Sequence, residues 1–307
     1  MSTKFLEGVS GKLAAKWVAI LLTPAFIFWM GGLGAYIWRF GWRNLEVWYR
    51  SHTEVLQISL LALGVLLVTG SAIVVQRFDS LLLRFLEGYW PRWMRRLRYR
   101  LVRRNVSYLH KLEQKFQILS SQIYEGKSLD TVDEFLILDA QLRRIPVQSS
   151  KVMPTKVGNI LRASENRTFD KYGLDAAICW SRLWLLLPSD VKEEVAAYRF
   201  SLNSSVRLLF WSLLFLIWVK WAWWTLLLGL VSACLAYHWI LEAAAIYGDL
   251  IEAVFDLYRF SLYSSLRWPL PSTPAEERNA GLKLTEYLWR GSDERYPSFT
   301  RTSAQKE

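Results

Sequence analysis

Between Lys16 and Arg39 no residue carries a charge, and the same is true between Glu54 and Arg77 and from Trp221 to Leu241. Crossing a hydrocarbon core of about 30 Å takes about 20 helical residues. Inside that medium each backbone N–H and C=O must be satisfied within its own segment, which confines such a run to a helix. Residues 17–38, 55–76 and 221–241 are therefore predicted to be transmembrane helices. A further stretch, 208–219, is uncharged only between Arg207 and Lys220. It spans if both basic side chains snorkel toward opposite interfaces, and it is taken as a true span rather than a re-entrant segment. Pro24 and the Gly31, Gly32 and Gly34 cluster are compatible with a span whose neighbours satisfy the backbone.

The first run is too long and too aromatic for a signal-peptide core, and no small-residue cleavage site follows it, so it is expected to be retained. Lysine and arginine near the span ends set the orientation. The stretch 77–104 carries arginine at 77, 84, 92, 95, 96, 98, 100, 103 and 104, against Arg39, Arg43 and Arg50 in the loop 39–54. Residues 77–206 are thereby predicted to be cytoplasmic, with both termini inside. The chain holds 17 tryptophans. Trp38, Trp42 and Trp48 fall on the same predicted outer side as Trp218, Trp221, Trp223 and Trp224, as expected of an interfacial aromatic belt.

The predicted fold class is all-α, with four transmembrane helices whose long cytoplasmic extensions form a juxtamembrane bundle. The divisions are 1–76, an N-terminal transmembrane pair; 77–206, a basic cytoplasmic helical region; 207–241, a transmembrane hairpin; 242–290, a cytoplasmic helical extension; and 291–307, a disordered tail. No Pro or Gly interrupts 72–87, so the second span is expected to continue as one helix to the break at Glu87–Pro91. A helix from Pro91 to about Gly126 carries an apolar stripe of Met94, Leu97, Leu101, Tyr108, Leu112, Leu119 and Ile123. Residues 127–145 read as the next helix, with Thr131 and Glu134 at capping-box spacing. Residues 174–187 are too short to span. From Trp221 to Trp268 no proline occurs, which allows a helix of about 70 Å at 1.5 Å per residue.

The net charge of +11 suits anionic lipid or nucleic acid. Arg92, Arg95, Arg96, Arg98, Arg100, Arg103 and Arg104 are interleaved with Trp90, Trp93, Tyr99 and Leu101 beside a span, which points to anionic phospholipid headgroups. A merely solvated positive-inside flank is the plainer reading, and nucleic acid is disfavoured because no reader module accompanies the run. Glu242, Asp249 and Asp256 recur every seven residues with Glu252 on the same face, and Arg77 and Arg84 are also seven apart. Arg77–Glu242 and Arg84–Asp249 are predicted ion pairs between neighbouring helices, the same acidic stripe being a pore lining in a rival reading. Asn159, Arg162, Glu165, Arg167, Asp170, Asp175 and Arg182 are close enough in sequence to form a polar pocket, or simply an ion-paired network between helices. His238 lies within the last span and reads as an interfacial or interhelical hydrogen bonder rather than a proton relay. Cys179 and Cys234 are not expected to form a disulfide, and the dispersed His52, His110 and His238 suggest no metal site.

The string PTKVGNILRASENRTFDKYGLDAAICWSRLWLLLP at 154–188, with YGDLIEAVFDLYRFSLYSSLRWPLP at 247–271 and the later LTEYLW, resembles an uncharacterised family of bacterial multi-pass membrane proteins. The resemblance implies a bacterial inner-membrane setting and supplies no site residues, since that family has no assigned activity.

No phosphate loop, GxSxG, HExxH, CxxC or kinase signature is present, and neither catalytic residues, metal nor cofactor are assigned. The leading expectation is a non-enzymatic membrane scaffold, homo-oligomeric, with anionic phospholipid and a cytoplasmic protein as partners. An ion channel or pore-forming effector is the first alternative. A lipid-modifying enzyme is the second, and it requires Asn159, Arg162, Glu165 and Asp170 to converge.

Overall fold

A computed structural model describes residues 23–124, 129–295 and 297–300. Among the described residues the chain is helical throughout, without a strand. The helices are α1 (residues 23–40), α2 (Trp42–Arg50), α3 (Glu54–Arg77), α4 (Asp79–Glu87), α5 (Arg95–Tyr124), α6 (Leu129–Leu142), α7 (Lys156–Tyr172), α8 (Ala176–Leu186), α9 (Ser189–Phe215), α10 (Trp224–Ser265) and α11 (Pro274–Arg290). Three of them are long and apolar enough to cross a membrane: Glu54–Arg77, Ser189–Lys220 and Trp224–Ser265. The first predicted span is helical over 23–38, and its residues 17–22 lie outside the described residues.

The chain divides into two compact units, the first formed by residues 1–83 and 200–240 and the second by 84–199 and 241–307. The core of the first gathers Ala25 and Phe28 of α1, Ala72 and Val75 of α3, and Trp211 and Phe215 of α9. Close approach requires glycine at 31 and 32: a methyl group at either would collide with the Phe215 or Trp218 ring. Tyr36 packs edge-on to Trp221 at 5.6 Å between ring centroids, and Trp221 lies 5.0 Å from Trp218. Aromatic rings from the end of α1 and from the turn before α10 thus form one cluster. Trp38, Trp42 and Trp48 are left exposed, and the amphipathic α2 fills a stretch that the sequence reading treated as loop.

In this unit two expectations are corrected. The second span does not run unbroken to Glu87: α3 ends at Arg77, and Phe78 (φ −92°, ψ 1°) turns the chain before α4. Arg207 does not snorkel. It is 4 % exposed and lies 3.2 Å from Asp79, with Phe200 under its guanidinium and the Asn203 carbonyl accepting from its Nε. A cation away from water needs a counter-charge, and the turn at Phe78 accompanies the delivery of Asp79 to that place.

In the second unit the core collects Leu174, Cys179 and Leu183 around α8, Val195 of α9, Phe255, Leu262 and Tyr263 of α10, and Leu284 of α11. Fully burying side chains of this size contributes about 1.5–3 kcal/mol each. Thr155 caps α7, Asp175 caps α8 and Thr273 caps α11, each through its side-chain oxygen. Gly173 ends α7 at φ +70°, where a Cβ would strike the Arg278 carbonyl, so backbone meets backbone at this crossing. α10, at 42 residues, is about 63 Å long, roughly twice a hydrocarbon core. It stops at Arg267, the described non-glycine residue with positive φ. The Trp268 N–H then donates back to the Tyr263 carbonyl at 2.9 Å, as helix C-termini with a left-handed residue commonly do, and its ring packs at a tilt against Tyr287.

α5 and α6 form an antiparallel hairpin through Leu112, Leu119 and Leu138, with Phe116 stacked on Phe135 at 4.8 Å. Thr131 lies inside α6, so the expected capping box there is corrected; Glu134 instead pairs with Lys115 of α5. The C-terminal stretch assigned as disordered is ordered in part. Phe299 packs on Trp268 and Tyr287, and the Thr300 N–H donates to the Arg267 carbonyl at 2.8 Å. Residues 301–307 lie outside the described residues.

Candidate functional site

The arginine run begins in a short 3-10 turn, Arg92–Met94, and continues along the first half of α5. Gly88, at φ +102°, packs against Pro154 and lets the chain reverse after α4. Arg98 is partly buried and donates to the Gly88 carbonyl at 3.3 Å, while Asn105 donates to the Met153 carbonyl at 2.9 Å. Those two bonds fix the segment from behind. Arg92, Arg95, Arg96, Arg100, Arg103 and Arg104 are exposed, and among the described residues none of the six has an ion-pair partner. Beside them Trp93 is 81 % exposed and Tyr99 69 %. Cations and large aromatic rings left bare on one segment are the composition that partitions into a headgroup region.

The acidic stripe of α10 is engaged, though not by the predicted partners. Both guanidinium nitrogens of Arg144 bond the two Asp249 oxygens, at 2.7 and 2.9 Å, so Arg144 stands where Arg84 was expected. Arg84 lies over the Tyr89 ring, at 5.4 Å. Glu252 receives Arg167 at 2.5 Å and Lys171 at 2.7 Å. Asp256 receives Lys171 at 3.3 Å and the Tyr172 hydroxyl at 2.6 Å. One further turn along α10, Arg259 is bound to Glu277 of α11. The outermost rung, Arg144–Asp249, is exposed enough to contribute about 0–1 kcal/mol; Arg167–Glu252 and Arg259–Glu277 are the more buried. Arg77 and Glu242 belong to different units.

The polar constellation of 159–182 separates on folding. Asn159 accepts the Met153 N–H at 2.7 Å, Asp170 accepts from Gln148 at 3.3 Å, and Asp175 caps α8. Arg182 donates to the Ile178 carbonyl at 2.7 Å, and Arg167 belongs to the α10 ladder. Of the seven, Glu165, paired with Arg162 at 3.2 Å, lines a pocket that also holds Glu87 and Arg199. Its volume is about 220 Å³, and its wall includes Glu87, Glu165, Trp180, Arg199 and Tyr247. Glu87 is placed there because Gly158, without a Cβ, lets the first turn of α7 press on the Glu87 carbonyl. Burial pushes the Glu87 carboxyl up to about 7, with the nearby Glu165 adding to the effect. Desolvation by the same wall also raises the Glu165 carboxyl, against the pull of Arg162. Sequence reasoning missed Glu87, Arg199 and Tyr247, which come from separate helices and share no local pattern. Cys179 and Cys234 are both free thiols, and among the described residues no His, Cys, Asp or Glu cluster has metal-site geometry.

Three long apolar helices without a strand among the described residues give the chain the construction of a helical membrane protein. No family model, curated protein or solved structure matches it.

Proposed function

We propose that the chain is a multi-pass integral membrane scaffold that performs no chemistry of its own and grips anionic phospholipid through Arg92, Arg95, Arg96, Arg100, Arg103 and Arg104, with Arg98 of the same run holding the segment to the Gly88 carbonyl. The observation that carries this reading is the set of six exposed arginines, unpaired among the described residues, next to bare Trp93 and Tyr99. Guanidinium groups with internal partners would be reinforcing the fold, whereas these present their charge outward. The reading includes four spans, with both termini and residues 77–206 on the cytoplasmic side, because basic residues concentrate after the second span. A bacterial inner membrane is the setting that the resemblance of 154–188 and 247–271 implies. Self-association and a cytoplasmic protein partner complete the scaffold reading. The pairing of Asp249, Glu252 and Asp256 with Arg144, Arg167 and Lys171 favours a structural role for the acidic stripe over a conducting one, since each of these carboxylates already has its counter-charge.

Lipid-dependent unfolding tests the proposal. Each basic residue near an anionic surface contributes about 1 kcal/mol. Phosphatidylglycerol added to detergent-purified protein should raise the unfolding midpoint by several degrees more than phosphatidylcholine does. A variant with glutamine at 92, 95, 96, 100, 103 and 104 should lose that difference. Equal effects of the two lipids on the wild type, or an undiminished difference in the variant, would overturn it.

A further inference from the structure

The pocket beside Glu87 contains two opposite charges that do not meet. Among the described residues the Glu87 carboxyl accepts no hydrogen bond and forms no ion pair. Arg199, on the same wall, forms no ion pair either, and its guanidinium lies over the Tyr247 ring at 5.4 Å. The two are close enough to influence each other electrostatically, yet a direct contact within about 4 Å, the range of an ion pair, is not made. Backbone packing explains the separation: Gly158 fixes the end of α4 that carries Glu87, and Tyr247 holds the Arg199 head. Glu165, the other carboxylate of the wall, is already paired with Arg162. A partly buried charge without a counter-charge is costly, and here two complementary ones face a single cavity.

We propose that this pocket binds a small zwitterion, a primary ammonium joined by a short linker to a phosphate or carboxylate, with the ammonium at Glu87 and the anionic group at Arg199. The ligand supplies to each protein charge the partner that the fold withholds. N–H donors suit a carboxylate, and a guanidinium matches a phosphate or carboxylate with two parallel bonds. Trp180 gives the linker an apolar wall. The cavity volume of about 220 Å³ is many times the roughly 10–15 Å³ that holds one water, which gives room for an aminoalkyl phosphate. The ligand's source is either a free metabolite or the headgroup of an aminophospholipid. The inference is independent of the lipid contacts proposed for α5.

Calorimetric titration of the full-length protein in neutral detergent tests this. Phosphoethanolamine should bind at least tenfold more tightly than ethanolamine or inorganic phosphate, each of which satisfies one end only. Phosphocholine, without an N–H donor, should also be at least tenfold weaker. Glu87→Gln and Arg199→Gln should each weaken phosphoethanolamine binding tenfold or more, and if one variant fails to fold the other tests the site from the opposite end. Dihexanoyl phosphatidylethanolamine separates the sources: tighter binding than phosphoethanolamine supports a lipid headgroup, and weaker binding supports a soluble zwitterion. The proposal is overturned if neither ammonium compound nor the short-chain lipid binds, if phosphate or ethanolamine alone binds as tightly as the zwitterion, or if the folded variants bind unchanged.

Discussion

Glu87 shows how far an environment alters one side chain. Its carboxyl is raised from the ordinary 4.5 to about 7, first by burial and then by Glu165, against the opposing charges of Arg199, Arg84 and Arg162. A carboxyl whose folded value exceeds its unfolded one binds its proton more tightly in the native state. Its contribution to stability is therefore complete below about pH 4.5 and is lost as the pH climbs through about 7. Between pH 5 and pH 8 the wild-type unfolding midpoint should fall relative to that of Glu87→Gln, which cannot ionise. Parallel profiles for the two proteins would refute the assignment. Glu165 shifts in the same direction and repels Glu87, so the difference between the curves reports the Glu87 charge together with that repulsion.

Among the elements, α3, α4 and α9 are coupled by one buried ion pair. The Arg207 and Asp79 side chains are 5 % and 12 % exposed. Removing one partner of such a pair costs about 3–5 kcal/mol, whereas replacing both with apolar groups of similar volume is often neutral. Arg207→Leu and Asp79→Leu should thus each lower thermal stability sharply, and the double variant should recover much of the loss. Additive single effects would show that the two charges do not act on each other. The same pair shows why the second span was expected to run on to Glu87. Nothing between Arg77 and Glu87 forbids a helix, and the turn at Phe78 acquires its reason only when Arg207, far along the chain, needs a carboxylate. The third span was legible only in part for a related reason. An uncharged stretch ending at Arg207 looks short until that arginine is neutralised within the protein, and Ser189–Lys220 then reads as one long apolar helix.

For the whole molecule, the proposed lipid grip and the α10 ion pairs respond differently to salt. Raising ionic strength from about 0.1 M to about 1 M shortens the screening length from about 10 Å to about 3 Å. The extra stabilisation by phosphatidylglycerol over phosphatidylcholine should fade across that range, because it depends on exposed arginines. The Arg167–Glu252 and Arg259–Glu277 rungs, being mostly buried, should keep the second unit folded. A lipid preference that persists undiminished at 1 M salt would point to apolar contacts by Trp93 and Tyr99 in place of charge.

By itself the sequence determined that the chain is helical and which long segments are apolar enough for a membrane, though not helix α2 or the break at Phe78. Charge-free length and Pro and Gly breaks are local properties, and local properties survive in a string. It also marked the arginine run, because exposed charges need no partner to be recognised. Tertiary structure alone decided which charges meet. Asp249 could have faced any of several arginines at suitable register, and Arg144 took it because the α5–α6 hairpin sets the end of α6 beside α10. Likewise Glu87, Glu165, Arg199 and Tyr247 share a pocket only after their helices have packed, through approaches as close as the backbone contact at Gly158. Register along a helix is written every few residues, whereas the neighbour across a groove is set by the packing of the whole unit.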